Sequence, residues 1–347
     1  MTATKAKDVV LLCNPQAGGR WRALAEVLDS PEAKGVRRIV TDDIEDVREA
    51  LTSVGQRAKL LCIYGGDGTI YHIINELLKN PPDGRLPPLA FLGGGTMNVT
   101  GRMYGMIASP GENFRAVMKD YLADQLVWQQ VPVVKVSSGS HHSYGFTFGM
   151  GPLVRILDRY EHGQKGKLAA ALIGLRAIAS AISPIDTSLS GILDQMNASV
   201  IADGVTLPHQ RYIAVFANTT GAINRAIEPF ADERTQDTFN FLAYAVSSRE
   251  LAMLVPMLAR GKLPLDRQLL RSPTALWRQL AALASSRGQA NWPRDPRYVN
   301  HTARSLQIRT DEPLYTLDGE LLPCDPESPL DVALGPNLPL VKLTPIR

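Results

Sequence analysis

The chain has 347 residues, of which 45% are hydrophobic and 20% charged, and its formal net charge is +3. This length suits two domains or one large one, each able to bury a core, while so small a charge without a basic tract excludes a nucleic-acid-binding arm. Three cysteines, Cys13, Cys62 and Cys324, are odd in number, and the first two fall in apolar runs, which fits free buried thiols in a reducing cytoplasm.

Residues 9–13 form a continuous apolar run of strand length, and they lead into Asn14-Pro15-Gln16-Ala17-Gly18-Gly19 and a helical pattern from about residue 20 to 28. Residues 37–41 read as a second strand, 44–54 as a helix and 59–64 as a third strand. That strand runs into Gly65-Gly66-Asp67-Gly68-Thr69, and a helical pattern follows over 70–79. Residues 88–92 are a short apolar strand ending in Gly93-Gly94-Gly95-Thr96-Met97-Asn98. Strands alternating with helices predict a doubly wound parallel sheet, an α/β domain over residues 1–127. All strand carboxyl ends of such a sheet share one edge, so the three glycine-containing loops converge there.

From residue 128 the pattern changes to short runs at 131–137, 144–150, 198–201, 212–217, 239–246 and 305–309, with turns between them. These predict a mainly antiparallel β-sandwich over 128–347, interrupted by helical inserts at about 165–183 and 248–286. The most apolar stretch, 168–185, is broken by Arg176 and Pro184 and falls short of the roughly 20 apolar residues a membrane span requires. The short polar N-terminal segment is unlike a signal peptide. His141-His142 sits in a Ser/Gly-rich stretch and reads as a solvated hairpin turn.

A strand that ends in glycines and opens into a helix is a phosphate site, because glycine lets backbone amides approach an anion and the helix N-terminus adds partial positive charge. Asp67 in the middle of that loop is repulsive to phosphate unless a divalent cation or a transferable proton lies between them, so the loop reads as a nucleotide site that also does chemistry. Later in the chain Asp318-Gly319-Glu320 follows the apolar run 314–317. Taken alone, Asp-Gly there is foremost a hairpin signal.

The motifs together resemble the diacylglycerol kinase catalytic-domain family, which includes sphingosine and ceramide kinases and bacterial lipid kinases. Asn14-Pro15-Gln16-Ala17-Gly18, Gly65 to Thr69, Gly95-Thr96-Met97-Asn98 and Asp318-Gly319-Glu320 match its four ordered motifs, and Gly166-Lys167-Leu168 and Ala217-Asn218 match more weakly. The resemblance implies a nucleotide-binding N-terminal domain and a β domain that receives the lipid and carries Asp318-Gly319-Glu320, reaching the nucleotide across a cleft. ATP and Mg²⁺ are the cofactors it implies, held by Asn14, Pro15, Gly18, Thr41, Gly65, Gly66, Asp67, Gly68, Thr69, Gly95, Thr96 and Asn98. Glu320 is the expected base with Asp318 alongside, and Asp67 handles the metal or the acceptor hydroxyl; in sphingosine kinases the acid matching Asp67 is assigned the base role. The resemblance also implies that Asp237 matches an acid that holds a structural Mg²⁺ in bacterial relatives, although Asp237-Thr238 stands where they have Asp-Gly. Thr41, from the residues alone, equally reads as a helix N-cap.

The chain departs from the family at Gly93, commonly Pro, at Val99, where diacylglycerol kinases have Asp, and at Tyr71-His72, where many relatives carry a polar pair. These spare the phosphate loops and leave the acceptor open among diacylglycerol-like, sphingoid and glycerophospholipid classes. A soluble-substrate kinase of the NAD kinase type, and a non-catalytic nucleotide- or lipid-binding protein, are the alternative functions. Leu276, Trp277, Leu280 and Leu283 fall on one helical face with Arg271, Arg278, Arg287 and Trp292 nearby. Such a stripe suits either packing on the β domain or peripheral contact with an anionic membrane surface. The expectation is a cytoplasmic protein that meets the membrane from its surface and takes a lipid substrate and no nucleic acid, with a homodimer among the open oligomeric states.

Overall fold

The computed structural model describes residues 5–15, 24–25, 28–29, 33–41, 43–54, 58–81, 85–94, 99–162, 191–222, 227–264 and 294–343. The chain divides into two compact units: one runs through Val133 and takes back Asp318–Glu320 and the chain from Gly335, and the other holds Val134–Leu317 and Leu321–Leu334. The division is therefore not a single cut in the sequence. Among the described residues no helix is long and apolar enough to cross a membrane.

In the first unit, β1 (Val9–Cys13), β2 (Arg37–Val40), β3 (Leu60–Tyr64) and β4 (Leu89–Phe91) are parallel, in the spatial order β2-β1-β3-β4. β1 and β3 are buried at every position, as expected of strands covered on both faces, and β2 is an exposed edge. The last strand of the chain adds beside β4, with Leu340 opposite Leu89 in parallel register. Helix α1 (Ile44–Val54) is capped by Asp43 and Asp46, each carboxylate accepting from the other's amide, at 2.9 and 3.3 Å. Thr41 is thus not the cap. Helix α2 (Asp67–Lys79) begins three residues earlier than its apolar pattern, inside the glycine-rich loop, because Gly66 already supplies the extended N-cap backbone. Arg48 of α1 ion-pairs with the buried Glu76 of α2 at 3.2 Å and joins the two helices.

Helix α3 (Val99–Met103) and helix α4 (Pro110–Leu122) complete this unit and have no counterpart among the sequence expectations. The signal for α4 is in the chain: Ser109-Pro110-Gly111-Glu112 is a capping box with Pro at the first turn, and Ser109 and Glu112 do bond each other's backbone amides. Phe114, Val117 and Met118 of α4 join Val9, Leu11, Cys13, Leu60, Cys62 and Tyr64 in one core.

The second unit is built from antiparallel strands. β5 (Trp128–Ser138) pairs with β6 (His141–Gly145) through a Gly139-Ser140 turn, so His141 and His142 are the exposed first residues of β6 just beyond the turn. β7 (Thr147–Met150) lies in another sheet, whose strand order is β13-β12-β11-β7-β15-β16, comprising β11 (Ala214–Asn218), β12 (Phe239–Tyr244), β13 (Tyr298–Ala303), β15 (Leu314–Leu317) and β16 (Glu320–Pro323). The run expected as one strand over 144–150 is therefore two, bent at the buried Phe146 where the chain changes sheets. The run 212–217 is likewise divided at Ile213, between β10 (Arg211–Tyr212) and β11. β10 pairs with β8 (Met196–Ala202), which also takes β9 (Val205–Thr206) and β14 (Ser305–Thr310), and β14 pairs with the first residues of β17 (Leu330–Val341). Helix α5 (Pro152–His162) follows β7. Of the two expected helical inserts, only the start of the second lies among the described residues, as α6 (Ser248–Leu258) capped by Ser247.

Candidate active site

The parallel strands deliver their loops to one edge, and backbone bonds fix the register of the strand ends. Asn14 N donates to Tyr64 O at 2.9 Å, and Leu92 N donates to Ile63 O at 2.9 Å. Each loop therefore leaves the sheet beside the next. Asn14 Nδ2 then donates to Thr69 Oγ1 at 3.2 Å, tying the first loop to the first turn of α2. Pro15 follows Asn14 and turns the chain out of the strand.

The glycines in this region answer to close neighbours. A Cβ on Gly65 would lie 2.5 Å from Thr69 Cβ, and one on Gly94 would lie 3.0 Å from the Tyr64 ring. Gly93 has φ 82°, a left-handed conformation that favours glycine over the Pro common in the family. Asn113 of α4, 1% exposed, donates from Nδ2 to Leu92 O at 2.9 Å and to Ala108 O at 3.2 Å. It holds the end of β4 where the chain enters Gly93-Gly94, a role its position in a mixed polar and apolar helix gave no means of foreseeing.

At the N-terminus of α2 the cap is Gly66, with no side-chain capping bond, and the first helical bond is Ile70 N to Gly66 O at 3.0 Å. The amides of Asp67, Gly68 and Thr69 precede that bond and form the positive end of the helix dipole. Asp67 is half-buried in the same turn. The carboxylate of Glu320 stands over it: a Cβ on Gly68 would lie 2.5 Å from Glu320 Oε1.

Asp318 and Gly319 form the two-residue turn between β15 and β16, with φ 53° and 95°. Positive φ at both positions is the primed hairpin turn that Asp-Gly favours. The hairpin reading of these residues is therefore realised. Asp318–Glu320, expected with residues 128–347, group with the first unit. Asp318 stands in the turn itself, and Glu320 is the first residue of β16.

Thr41 is buried at the end of β2, and its hydroxyl donates to Cys13 O at 3.3 Å, so its side chain secures the edge strand. Gly18, Gly95, Thr96 and Asn98 lie outside the described residues, as does the stripe of Leu276, Trp277, Leu280 and Leu283. Asp237 sits in an exposed turn closed by Thr238 Oγ1, which accepts from Thr235 N at 2.9 Å. Among the described residues no three His, Cys, Asp or Glu side chains gather as a metal cage, around Asp237 or elsewhere. Tyr71 is buried in α2 with His72 against its ring edge, so the two residues that differ from the family's polar pair take one core and one surface position.

The second unit has an open cavity of about 640 Å³ lined in part by Leu207, Asp232, Arg294 and His301. Asp232 there is paired with Arg294 at 3.0 Å and with His301 Nδ1 at 2.9 Å, a self-compensated cluster. In the same unit Asn218, fully buried, donates to Thr147 Oγ1 and accepts from the amides of Thr220 and Gly221, bracing the loop after β11.

Residues 8–127 match the family model of the diacylglycerol kinase catalytic domain. The N-terminal domain is similar to that family. The family is one of kinases, and a glycine-rich loop, an acid and a helix N-terminus in one turn suit such chemistry. A diacylglycerol kinase from Bacillus anthracis superposes with a TM-score of 0.58 at 14% identity, over 96% of each chain. Two further Bacillus anthracis structures, assigned provisionally as diacylglycerol kinases, give TM-scores of 0.63 and 0.59 at 17% identity, each over 96% of this chain and 96% and 97% of theirs. At such identity these likenesses establish the fold. No curated protein matches the chain in sequence.

Proposed function

We propose that this protein is an ATP- and Mg²⁺-dependent lipid kinase that transfers the γ-phosphoryl group to a hydroxyl of a membrane lipid. The observation that carries the reading is the Glu320 carboxylate over the first turn of α2, beside Asp67 and the glycine-rich loop. A phosphoryl-transfer site needs a cradle for the triphosphate, compensation for its charge and a base near the attacking hydroxyl. Backbone amides and the helix dipole form the cradle. Glu320 takes the proton from the acceptor hydroxyl, and Asp67 orients that hydroxyl or holds the cation.

Asp67 is a hard oxygen donor, and Mg²⁺ in nucleotide sites needs only one or two carboxylates besides the phosphate oxygens, so a single acid in the first turn of α2 fits the ion. When bound, Mg²⁺ neutralises charge on the phosphates. A lipid acceptor is favoured over a soluble one because the Asn14-Pro15 loop and the late Asp318-Gly319-Glu320 occur together with the matched family domain. A kinase of this kind meets its substrate at the surface of the membrane.

The test is to incubate the pure protein with radiolabelled ATP, Mg²⁺ and a total lipid extract, and to identify the labelled product. Label in a single lipid class supports the reading and names the acceptor. Label in a water-soluble product, or none in any lipid, sinks it.

A further inference from the structure

We infer that Gly68 is a positioning residue: it is glycine to make room for the Glu320 carboxylate rather than to admit the nucleotide phosphates. The inference rests on the kinase reading above and assigns Gly68 a role other than the phosphate contact that its motif implies.

Three observations carry it. An ideal Cβ on Gly68 would lie 2.5 Å from Glu320 Oε1 and 3.6 Å from its carboxyl carbon; apart from its chain neighbours and its own helix backbone, no other described atom lies within 4 Å. The space a side chain would take at this position is thus taken by one group, and that group is the expected base. Second, Gly68 does not have a positive φ, so the backbone itself does not demand glycine. Third, the neighbouring glycines have other reasons: Gly65 yields to Thr69 and Gly94 to Tyr64, both within the loop framework.

What happens on adding a methyl group follows from which partner can move. Gly68 lies in the first turn of α2, whose backbone is held by the helix, whereas the Glu320 carboxylate ends a flexible side chain. The carboxylate therefore moves. Alanine is also the better helix former, so the fold is kept. Gly68→Ala consequently acts on catalysis through Glu320.

The experiment compares wild type, Gly68→Ala, Glu320→Gln and the double variant by lipid phosphorylation, with ATP affinity measured separately by calorimetry. Expected for Gly68→Ala is a fall in kcat of about 10²-fold or more with ATP affinity within about threefold of wild type. The double variant should be no slower than Glu320→Gln alone, since an amide accepts no proton whether or not it is displaced. A loss of ATP affinity of about tenfold or more in Gly68→Ala, or a double loss equal to the product of the single losses, would overturn the inference, because either outcome means the methyl group acts on the nucleotide or independently of Glu320. If the wild type labels no lipid, the kinase reading itself falls. A crystal structure of Gly68→Ala then decides the steric claim: a displaced Glu320 carboxylate upholds it, and an unmoved carboxylate beside the new methyl group overturns it.

Discussion

Glu320 Oε1 occupies the place where a side chain on Gly68 would begin, 2.5 Å from its ideal Cβ. Two motifs far apart in sequence thereby share one turn of helix, and both lie in the first unit. The proton acceptance proposed for Glu320 and the phosphate binding proposed for the loop can therefore be tested piece by piece.

Glu320→Gln keeps the size of the side chain and removes its basicity. Turnover should fall by roughly 10²–10⁴ with nucleotide affinity nearly unchanged. Asp318→Asn should cost less, because Asp318 occupies the turn position while Glu320 reaches the loop. Steady-state kinetics on both variants check this, and near-normal turnover in Glu320→Gln with an inactive Asp318→Asn would move the base to Asp318.

Gly65→Ala should disable the loop that Gly68→Ala leaves standing. Its Cβ would press on Thr69 Cβ at 2.5 Å, within the helix turn that Asn14 Nδ2 holds through Thr69 Oγ1. Overpacking of this kind costs about 1–3 kcal/mol. A lowered urea midpoint together with weakened ATP binding is the expected result; unchanged ATP affinity would separate Thr69 from the nucleotide site.

Asn113→Leu preserves volume and strips the donor from two carbonyls, Leu92 O and Ala108 O. A buried acceptor left without a partner costs about 1–3 kcal/mol, read as a drop in the urea midpoint at constant slope. Because Leu92 precedes Gly93-Gly94, ATP affinity should fall in the same variant.

Burial pushes the Cys13 thiol up to about 12 and the Cys62 thiol higher still, so both remain neutral and unreactive in the folded protein. At pH 8 a thiol reagent should leave both unlabelled until denaturant is added, with the partly exposed Cys324 reacting first. The sign for stability follows. The folded state's preference for neutral thiols is fully present below the ordinary thiol range, and it is lost as pH climbs through that range toward the folded values. Unfolding midpoints measured from pH 8 upward should decline accordingly, and less steeply in Cys62→Ala.

The sequence alone settled those features that depend on neighbours along the chain. Runs such as Val9–Cys13 and Leu60–Tyr64, apolar at nearly every position, announce strands buried on both faces, and glycines after them announce loops at one edge. Burial of Cys13 and Cys62 followed from the same runs. The Asp318-Gly319 turn was likewise legible, since positive φ at two successive positions is a local preference.

Only the tertiary structure decided what depends on partners distant in sequence. That Phe146 and Ile213 mark changes of sheet could not be read from β-type runs, because an apolar residue at a corner looks like one in a strand. Thr41 looked like a helix cap, yet Asp43 outcompetes it through a reciprocal bond with Asp46, and Thr41 turns to Cys13 instead. Placing Glu320 over Gly68 required the hairpin tip to join the first unit. Periodicity reports which face of an element is buried; which group fills the space left by a missing side chain is set by packing.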